Sequence, residues 1–138
     1  MNRAQYISAF SLAAASLVFV LCGFAANGAW LKHVPASAHE KQNPFAANTA
    51  AAESGRKLFV EHCASCHGMA AEGRGKKPCL HSTRVHNASD GDLEWLLKNG
   101  ELGKGMPSWS KLPDQQRWQL VTYLKSLDVG CASTRLDP

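Results

Sequence analysis

The beginning of the chain stands apart from the rest because it is almost entirely apolar. Residues 4–31 carry no charged side chain, and Arg3 precedes them. An uncharged run of this length predicts either a membrane-spanning helix or a cleaved secretory signal. Small residues that could mark a cleavage site occur at 23–25 and at 36–38, so both alternatives stay open for residues 1–31. With either alternative, the remainder of the chain is exported to the far side of the membrane.

A connector and a folded domain follow the apolar run. Residues 32–51 contain two prolines and many alanines without apolar periodicity, which predicts a flexible linker. Helical periodicity then appears, and we expect one domain at 52–129 with a C-terminal tail at 130–138. A core of this size is marginal unless a cross-link or a bound group stabilises it.

Two helices are predicted in the first part of the domain. The first, at 52–61, would direct Leu58 and Phe59 inward. The second begins after Ser89, which together with Asp92 resembles a capping box. Its apolar face, at helical spacing, is formed by Leu93, Leu96 and Leu97.

A third helix is predicted near the C-terminus. It starts near Pro113, because proline suits a first helical turn, and Gly130 would end it. Its apolar stripe consists of Leu120, Val121, Leu124 and Leu127. No segment has the alternating pattern of a strand, so the predicted fold class is all-α.

The charge balance argues against one class of function. The chain has 15 Lys and Arg against 11 Asp and Glu, which gives a formal net charge of +4. This modest excess is not the balance of a nucleic-acid-binding domain. We therefore expect protein partners and no nucleic acid.

The most informative chemistry lies directly after the first predicted helix. Cys63, Cys66 and His67 form a Cys-x-x-Cys-His motif, which is the attachment signature of a c-type haem. The two thiols of such a motif add to the haem vinyl groups, and the histidine supplies an axial imidazole to the iron. The predicted cofactor is one covalently attached haem c.

Other uses of these cysteines stay open at the level of the motif. A thioredoxin-like dithiol would need a βαβ context, which the pattern around Cys63 does not offer. A structural zinc site could combine Cys63 and Cys66 with Cys79 and His81. The cysteines could also belong to ordinary disulfides.

A glycine-rich loop supplies a candidate for the second axial ligand. Met106 lies between Gly105 and Pro107, in the segment that joins the second and third predicted helices. A loop methionine is usually apolar filler, but after a Cys-x-x-Cys-His motif it is the obvious thioether ligand for the other face of the iron. We therefore expect His67 and Met106 to bind the iron, with Pro107 holding the loop extended.

Residues 52–128 resemble the class I cytochrome c family. The segments Gly55–Phe59 and Arg117–Leu124 resemble its N-terminal and C-terminal helices, and the Gly-Met-Pro-x-Trp loop resembles that of small bacterial monohaem cytochromes. The resemblance implies an all-α fold wrapped around one covalent haem, here preceded by an N-terminal hydrophobic helix. It also implies that the Pro78 carbonyl accepts the Nδ1 proton of the proximal histidine, and that Leu80 packs on the haem.

Several further residues have a functional and an ordinary interpretation. Trp109 could hydrogen-bond a haem propionate or simply pack. Three histidines are expected to be solvated surface residues: His62, His81 and His86. Four lysines should flank the exposed haem edge, either as a docking ring for acidic partners or as a solvated face: Lys76, Lys77, Lys104 and Lys111.

Cys79 and Cys131 lie outside the general family pattern. In a cytochrome c-like fold the C-terminal helix packs across the proximal loop, so that its end would approach Cys79. Because exported thiols tend to oxidise, the resemblance implies a Cys79–Cys131 disulfide. Two unrelated thiols, or an intermolecular bond, remain the alternatives.

The function implied by the resemblance is electron transfer. We expect a one-electron carrier in a respiratory or dehydrogenase-linked chain, on the periplasmic side of a bacterial inner membrane. A six-coordinate iron leaves no open position for a substrate, so no enzymatic activity is expected. The alternatives are a cytochrome subunit of a larger membrane oxidoreductase complex, and a peroxidase-like haem enzyme in which Met106 is detached.

Overall fold

The computed structural model describes residues 29–131 of the chain, and their regular secondary structure is helical. In chain order, the longer helices are α2 (Thr49–His62), α5 (Asp90–Asn99) and α6 (Asp114–Ser126). The shorter elements are a 3-10 helix at Ala29–His33, α1 (Ala36–His39), α3 (Ala64–His67), α4 (Thr83–Asn87) and a 3-10 helix at Leu102–Lys104. Within this range the only β-type pairing is found in two isolated bridges, and the hydrophobic segment predicted at 1–31 lies almost entirely outside it.

The core is organised by the pair of helices α2 and α6, which pack against each other along much of their length. The crossing requires glycine at position 55, because a Cβ there would overlap the Gln119 carbonyl oxygen and lie 2.9 Å from the Tyr123 Cβ. One turn further on, the Phe59 and Tyr123 rings are in contact, with centroids 5.3 Å apart. Phe59 and Leu120 are each only 1% exposed, so the two helices cross with their contact buried.

The ends of α5 follow local sequence signals. Ser89 Oγ accepts the Asp92 N–H, and the Asp92 carboxylate accepts the Ser89 N–H at 2.8 Å, which completes the predicted capping box. Gly100 ends α5 with a φ of 71°, in the region that favours glycine. Since Leu93 and Leu97 are buried, this helix presents its apolar face to the interior as expected.

Helix α6 begins at Asp114 directly after Pro113, and it ends at Ser126. The sequence predicted that the helix would continue to Gly130. The earlier end arises because Leu127 adopts an extended backbone with a ψ of 135°. The chain then runs back toward His81, whose carbonyl accepts the Gly130 N–H at 3.1 Å.

Residues 32–51, which the sequence predicted to be a flexible linker, form ordered structure against the domain. The Asn43 side chain is buried and donates a hydrogen bond to Thr122 Oγ1 at 3.0 Å. His39 Nδ1 lies 2.9 Å from an Asp92 carboxylate oxygen. These contacts join residues far apart in sequence, which explains why local periodicity did not reveal them.

Two further observations complete the fold. Helix α4, which the sequence did not predict, is capped by Ser82, whose side chain accepts the Val85 N–H. Among residues 29–131, no helix combines the length and the apolar character needed to cross a membrane.

Candidate haem site

The Cys-x-x-Cys-His residues are held on a single helical turn. Helix α2 delivers the chain to Cys63, whose N–H donates to the Phe59 carbonyl at 2.8 Å. The Cys63 carbonyl in turn accepts the N–H groups of Cys66, at 3.1 Å, and His67, at 2.9 Å. The two thiols and the imidazole therefore project from one compact unit. Burial raises the pKa of the Cys63 thiol to about 11, with a smaller contribution from Cys66, so that this thiol is neutral at physiological pH.

The imidazole of His67 is oriented by a backbone carbonyl. Its Nδ1 donates a hydrogen bond to the Pro78 oxygen at 3.0 Å, which leaves Nε2 as the free ligand atom and raises its basicity. The loop between these residues is folded back tightly. Gly73 has a φ of 85° and donates its N–H to the His67 carbonyl at 2.7 Å, and a Cβ on it would lie 2.7 Å from the Cys79 nitrogen.

Met106 is held by a short backbone turn. The N–H of Glu101 donates to the Met106 carbonyl at 2.9 Å, and the N–H of Met106 donates to the Glu101 carbonyl at 3.1 Å. Between Glu101 and Met106, the chain is turned by the 3-10 helix at Leu102–Lys104 and by Gly105, which has a φ of 74°. After the turn, the Trp109 N–H donates to the Leu97 carbonyl at 2.9 Å, and so the loop is anchored to the end of α5.

A large cavity brings these elements together. It has a volume of about 1550 Å³, which is above the range of roughly 300–1,000 Å³ of ordinary small-molecule pockets. The residues predicted from the sequence to hold the cofactor all line it: Cys63, Cys66, His67, Pro78, Leu80, Met106 and Trp109. Its apolar wall includes Phe59, Val85, Leu93, Leu97 and Leu120.

The cavity fits the predicted group in size and in chemistry. A haem needs apolar walls for its two faces, two thiols at one edge, and nitrogen and sulfur donors for its iron. Each of these is supplied by a residue that lines the cavity. Trp30, which is 8% exposed, adds to the same wall from the N-terminal segment. Trp30 could not be recognised from the sequence, because it stands at the edge of the long apolar run.

Cys79 is joined to Cys131 by a disulfide, with the two Cα atoms 6.2 Å apart. The expected intramolecular bridge is therefore present. It also removes Cys79 from the zinc site that the sequence had left open. Among residues 29–131, no three His, Cys, Asp or Glu side chains are gathered as a metal-binding group.

The three histidines predicted to be solvated are instead partly buried. The His62 ring packs on Trp109, with centroids 5.1 Å apart. His81 Nδ1 donates to the Asp128 carbonyl at 3.0 Å, and its Nε2 contacts the Ala70 carbonyl. His86 Nε2 is buried without a hydrogen-bond partner among the described residues. Their neighbours come from other elements, so the polar character of the residue type was a poor guide to their exposure.

The four lysines differ from one another more than their sequence pattern indicates. Lys76 and Lys111 are exposed. Lys104 forms an ion pair with Glu101 at 2.9 Å. Lys77 is only partly exposed, and its ammonium group is turned toward backbone carbonyls of the Met106 loop. Among residues 29–131, Lys76 and Lys111 therefore take part in no hydrogen bond or ion pair, and of the four lysines Lys111 does not line the cavity.

Comparison with known proteins gives a family match for most of this site. The family described as "Cytochrome C oxidase, cbb3-type, subunit III" matches residues 50–124. The chain is 32% identical over 96 residues to the cbb3-type cytochrome c oxidase subunit CcoP of Azospirillum brasilense, a match that covers 64% of this chain and 32% of that protein. The chain thus spans about a third of the length of that relative.

Two smaller proteins are also similar. The chain is 35% identical over 88 residues to cytochrome c-554(547) of Halothiobacillus neapolitanus, covering 55% of this chain and 96% of that protein. It is 30% identical over 95 residues to cytochrome c550 of Pseudomonas aeruginosa, covering 64% of this chain and 63% of that protein.

A solved structure shares the fold. Cytochrome CL from Methylophaga aminisulfidivorans superposes with a TM-score of 0.56 at 23% sequence identity, covering 74% of this chain and 70% of that one. At this identity the likeness concerns the fold alone.

Proposed function

We propose that this chain, which belongs to the cbb3-type cytochrome c oxidase subunit III family of c-type cytochromes, binds its haem iron through His67 and Met106 and carries single electrons in the periplasm. The electron-transfer function and the covalent haem c are properties of the family. The residue assignments rest on one observation, which is that the Cys-x-x-Cys-His turn and Met106 line the same cavity.

The residues of the chain have distinct roles in this proposal. Cys63 and Cys66 hold the haem as thioethers, and the bound haem supplies an iron that alternates between the ferric and ferrous states. His67 would supply one ligand to the iron, and its Nδ1 hydrogen bond to Pro78 holds the imidazole in one tautomer. Met106 would supply the second ligand and would favour the ferrous state, because a thioether raises the reduction potential.

With His67 and Met106 both bound to the iron, the site would have no open position for a substrate. The protein is therefore proposed to exchange electrons without catalysing a reaction of its own. The apolar wall supports this role, because it would keep water away from the bound iron. The surroundings of the iron would then change little between its ferric and ferrous states.

A periplasmic location is supported by the cysteine chemistry. Disulfides such as Cys79–Cys131 persist in oxidising compartments and are rare in the cytosol. The apolar run at residues 1–31 would direct the export, either as an anchor or as a cleaved signal.

A second candidate is a cytochrome subunit of a membrane oxidoreductase complex. The relative from Azospirillum brasilense is named as a subunit of a cbb3-type cytochrome c oxidase, and this favours a membrane-bound partner. The free carrier is favoured by the two smaller relatives, which are named simply as cytochromes.

The experiment that tests the proposal is an intact mass of the native protein, combined with acid–acetone extraction. A mass increase of one haem that survives extraction is expected, because thioether bonds are covalent. The same mass reports whether the N-terminal segment is retained. Extractable haem, or zinc in its place, would overturn the assignment of Cys63 and Cys66.

A further inference from the structure

Lys77 connects the two loops that carry the axial residues. Its Nζ donates hydrogen bonds to the carbonyl of Lys104 at 3.0 Å and to the carbonyl of Gly105 at 3.3 Å. These carbonyls belong to the two residues that immediately precede Met106. The fit is close, since a Cβ on Gly105 would lie 3.0 Å from the same nitrogen.

The backbone of Lys77 is fixed on the proximal side of the cavity. Its N–H donates to the Arg74 carbonyl at 2.9 Å, and its own carbonyl accepts the Arg74 N–H at 3.2 Å. The next residue is Pro78, whose carbonyl orients His67. A displacement of the Met106 turn is therefore resisted by the same loop that holds the proximal imidazole.

The Met106 turn needs such a connection on its outer side. Its internal hydrogen bonds, between Glu101 and Met106, fix its shape. The hydrogen bond from the Trp109 N–H to the Leu97 carbonyl anchors the chain only after Met106, on the C-terminal side of the turn. The tip at Lys104 and Gly105 is exposed, and Lys77 is the side chain that ties this tip to the opposite wall.

We propose that Lys77 is a positioning residue that keeps the Met106 sulfur directed into the cavity by linking the proximal loop to the tip of the distal turn. The inference rests on the proposed ligation by Met106. A charged donor makes stronger hydrogen bonds than a neutral one, and two carbonyls share this ammonium group. Removal of the donor frees the turn to swing outward, so that the iron loses its sulfur ligand more often.

This role separates Lys77 from its neighbour. Lys76 is exposed and takes part in none of the hydrogen bonds or ion pairs found in residues 29–131. The two side chains carry the same charge at adjacent positions, so that Lys76→Met is a matched control for Lys77→Met. A docking role would leave imidazole binding to the isolated protein unchanged in both variants, whereas a positioning role changes it in Lys77→Met alone.

The test measures imidazole binding to the ferric, haem-loaded protein, because imidazole binds only when the sulfur has left the iron. Its apparent affinity follows the fraction of the open state. We expect Lys77→Met to bind imidazole about tenfold more tightly than the natural protein. Lys76→Met should stay within about twofold, and Lys77→Arg, which keeps the charged donor, should restore most of the natural value.

The near-infrared sulfur-to-iron band of the untreated protein is recorded first. If the natural protein lacks this band, Met106 is not a ligand and both the ligation and the inference fail. If the band is present and Lys77→Met binds imidazole like Lys76→Met, the inference alone is overturned. Should Lys77→Met not assemble with haem, Lys77→Gln, with a shorter neutral donor, is expected to tighten imidazole binding in the same direction; an unchanged affinity there would also overturn it.

Discussion

Arg117 and Glu94 form an ion pair inside the protein, with Arg117 Nε donating to a Glu94 carboxylate oxygen at 2.8 Å. Their side chains are only 1% and 5% exposed. The same guanidinium also contacts the Leu112 carbonyl and the Asp114 carboxylate. Arg117 therefore fixes the start of α6 to the middle of α5, the two helices that flank the Met106 loop.

Removal of one partner of this pair should destabilise the fold strongly. Glu94→Gln removes the buried carboxylate and leaves Arg117 with only the exposed Asp114 carboxylate as a charged partner. The expected loss is therefore about 3 kcal/mol in the free energy of unfolding, at the lower end of the range for a broken buried pair. Urea denaturation of the haem-loaded protein measures it. Glu53→Gln is the control, because the Glu53–Arg56 pair is exposed on α2 and should contribute far less. If Glu94→Gln and Glu53→Gln lowered the free energy of unfolding equally, the buried Arg117–Glu94 pair would not have the stabilising role proposed here.

Replacement of Met106 by alanine should change the iron and leave the helices intact. The near-infrared band of the oxidised protein should vanish, and the reduction potential should fall because the thioether is lost. Absorption spectroscopy and redox titration measure the two effects. Met69, which is 66% exposed, offers a control, since Met69→Ala should retain the band.

The disulfide should contribute to stability without affecting the haem spectrum. Cys131→Ser opens a loop with a sequence separation of 52 residues. The chain-entropy estimate for a loop of that length is roughly 4 kcal/mol, which is reduced by any strain in the bridge. We expect a lower melting temperature and an unchanged visible spectrum. Two alkylatable thiols in the native exported protein would contradict the bridge itself.

A charge reversal at Lys76 should slow encounter with an acidic redox partner. Lys76 is exposed and lines the opening of the cavity, so that Lys76→Glu should lower the association rate at low salt and reduce its dependence on ionic strength. Stopped-flow electron exchange measures both quantities. Lys57→Glu on α2 is the control, because Lys57 does not line the cavity. Identical rates for the two variants would show that only net charge matters.

The parts of the fold that were predicted from the sequence have local signals. The capping box at Ser89 and Asp92, the stop at Gly100 and the apolar stripe near Leu120 each act within a few residues, so that a linear pattern reveals them. The motif residues Cys63, Cys66 and His67 likewise follow one another on a single turn.

What the sequence did not reveal depends on contacts between distant segments. Asn43 meets Thr122, and His39 meets Asp92, only after the helices have packed. Because residues 32–51 lack apolar periodicity, the sequence predicted a linker there. Lys77 was grouped with the docking lysines because its charge is visible in the sequence and the carbonyls it contacts are not.

The Cys79–Cys131 bond also determines how the domain would respond to mechanical force. Tension applied between the two ends of the described chain passes from Cys131 across the sulfur bridge to Cys79, and then along the loop toward His67 and α2. The segment enclosed by the bridge, which contains α5, the Met106 turn and α6, is bypassed. Stretching would therefore load the loop between His67 and Cys79 directly through the chain, whereas α5, the Met106 turn and α6 would be loaded only through the contacts that α2 and the segment before it make with them.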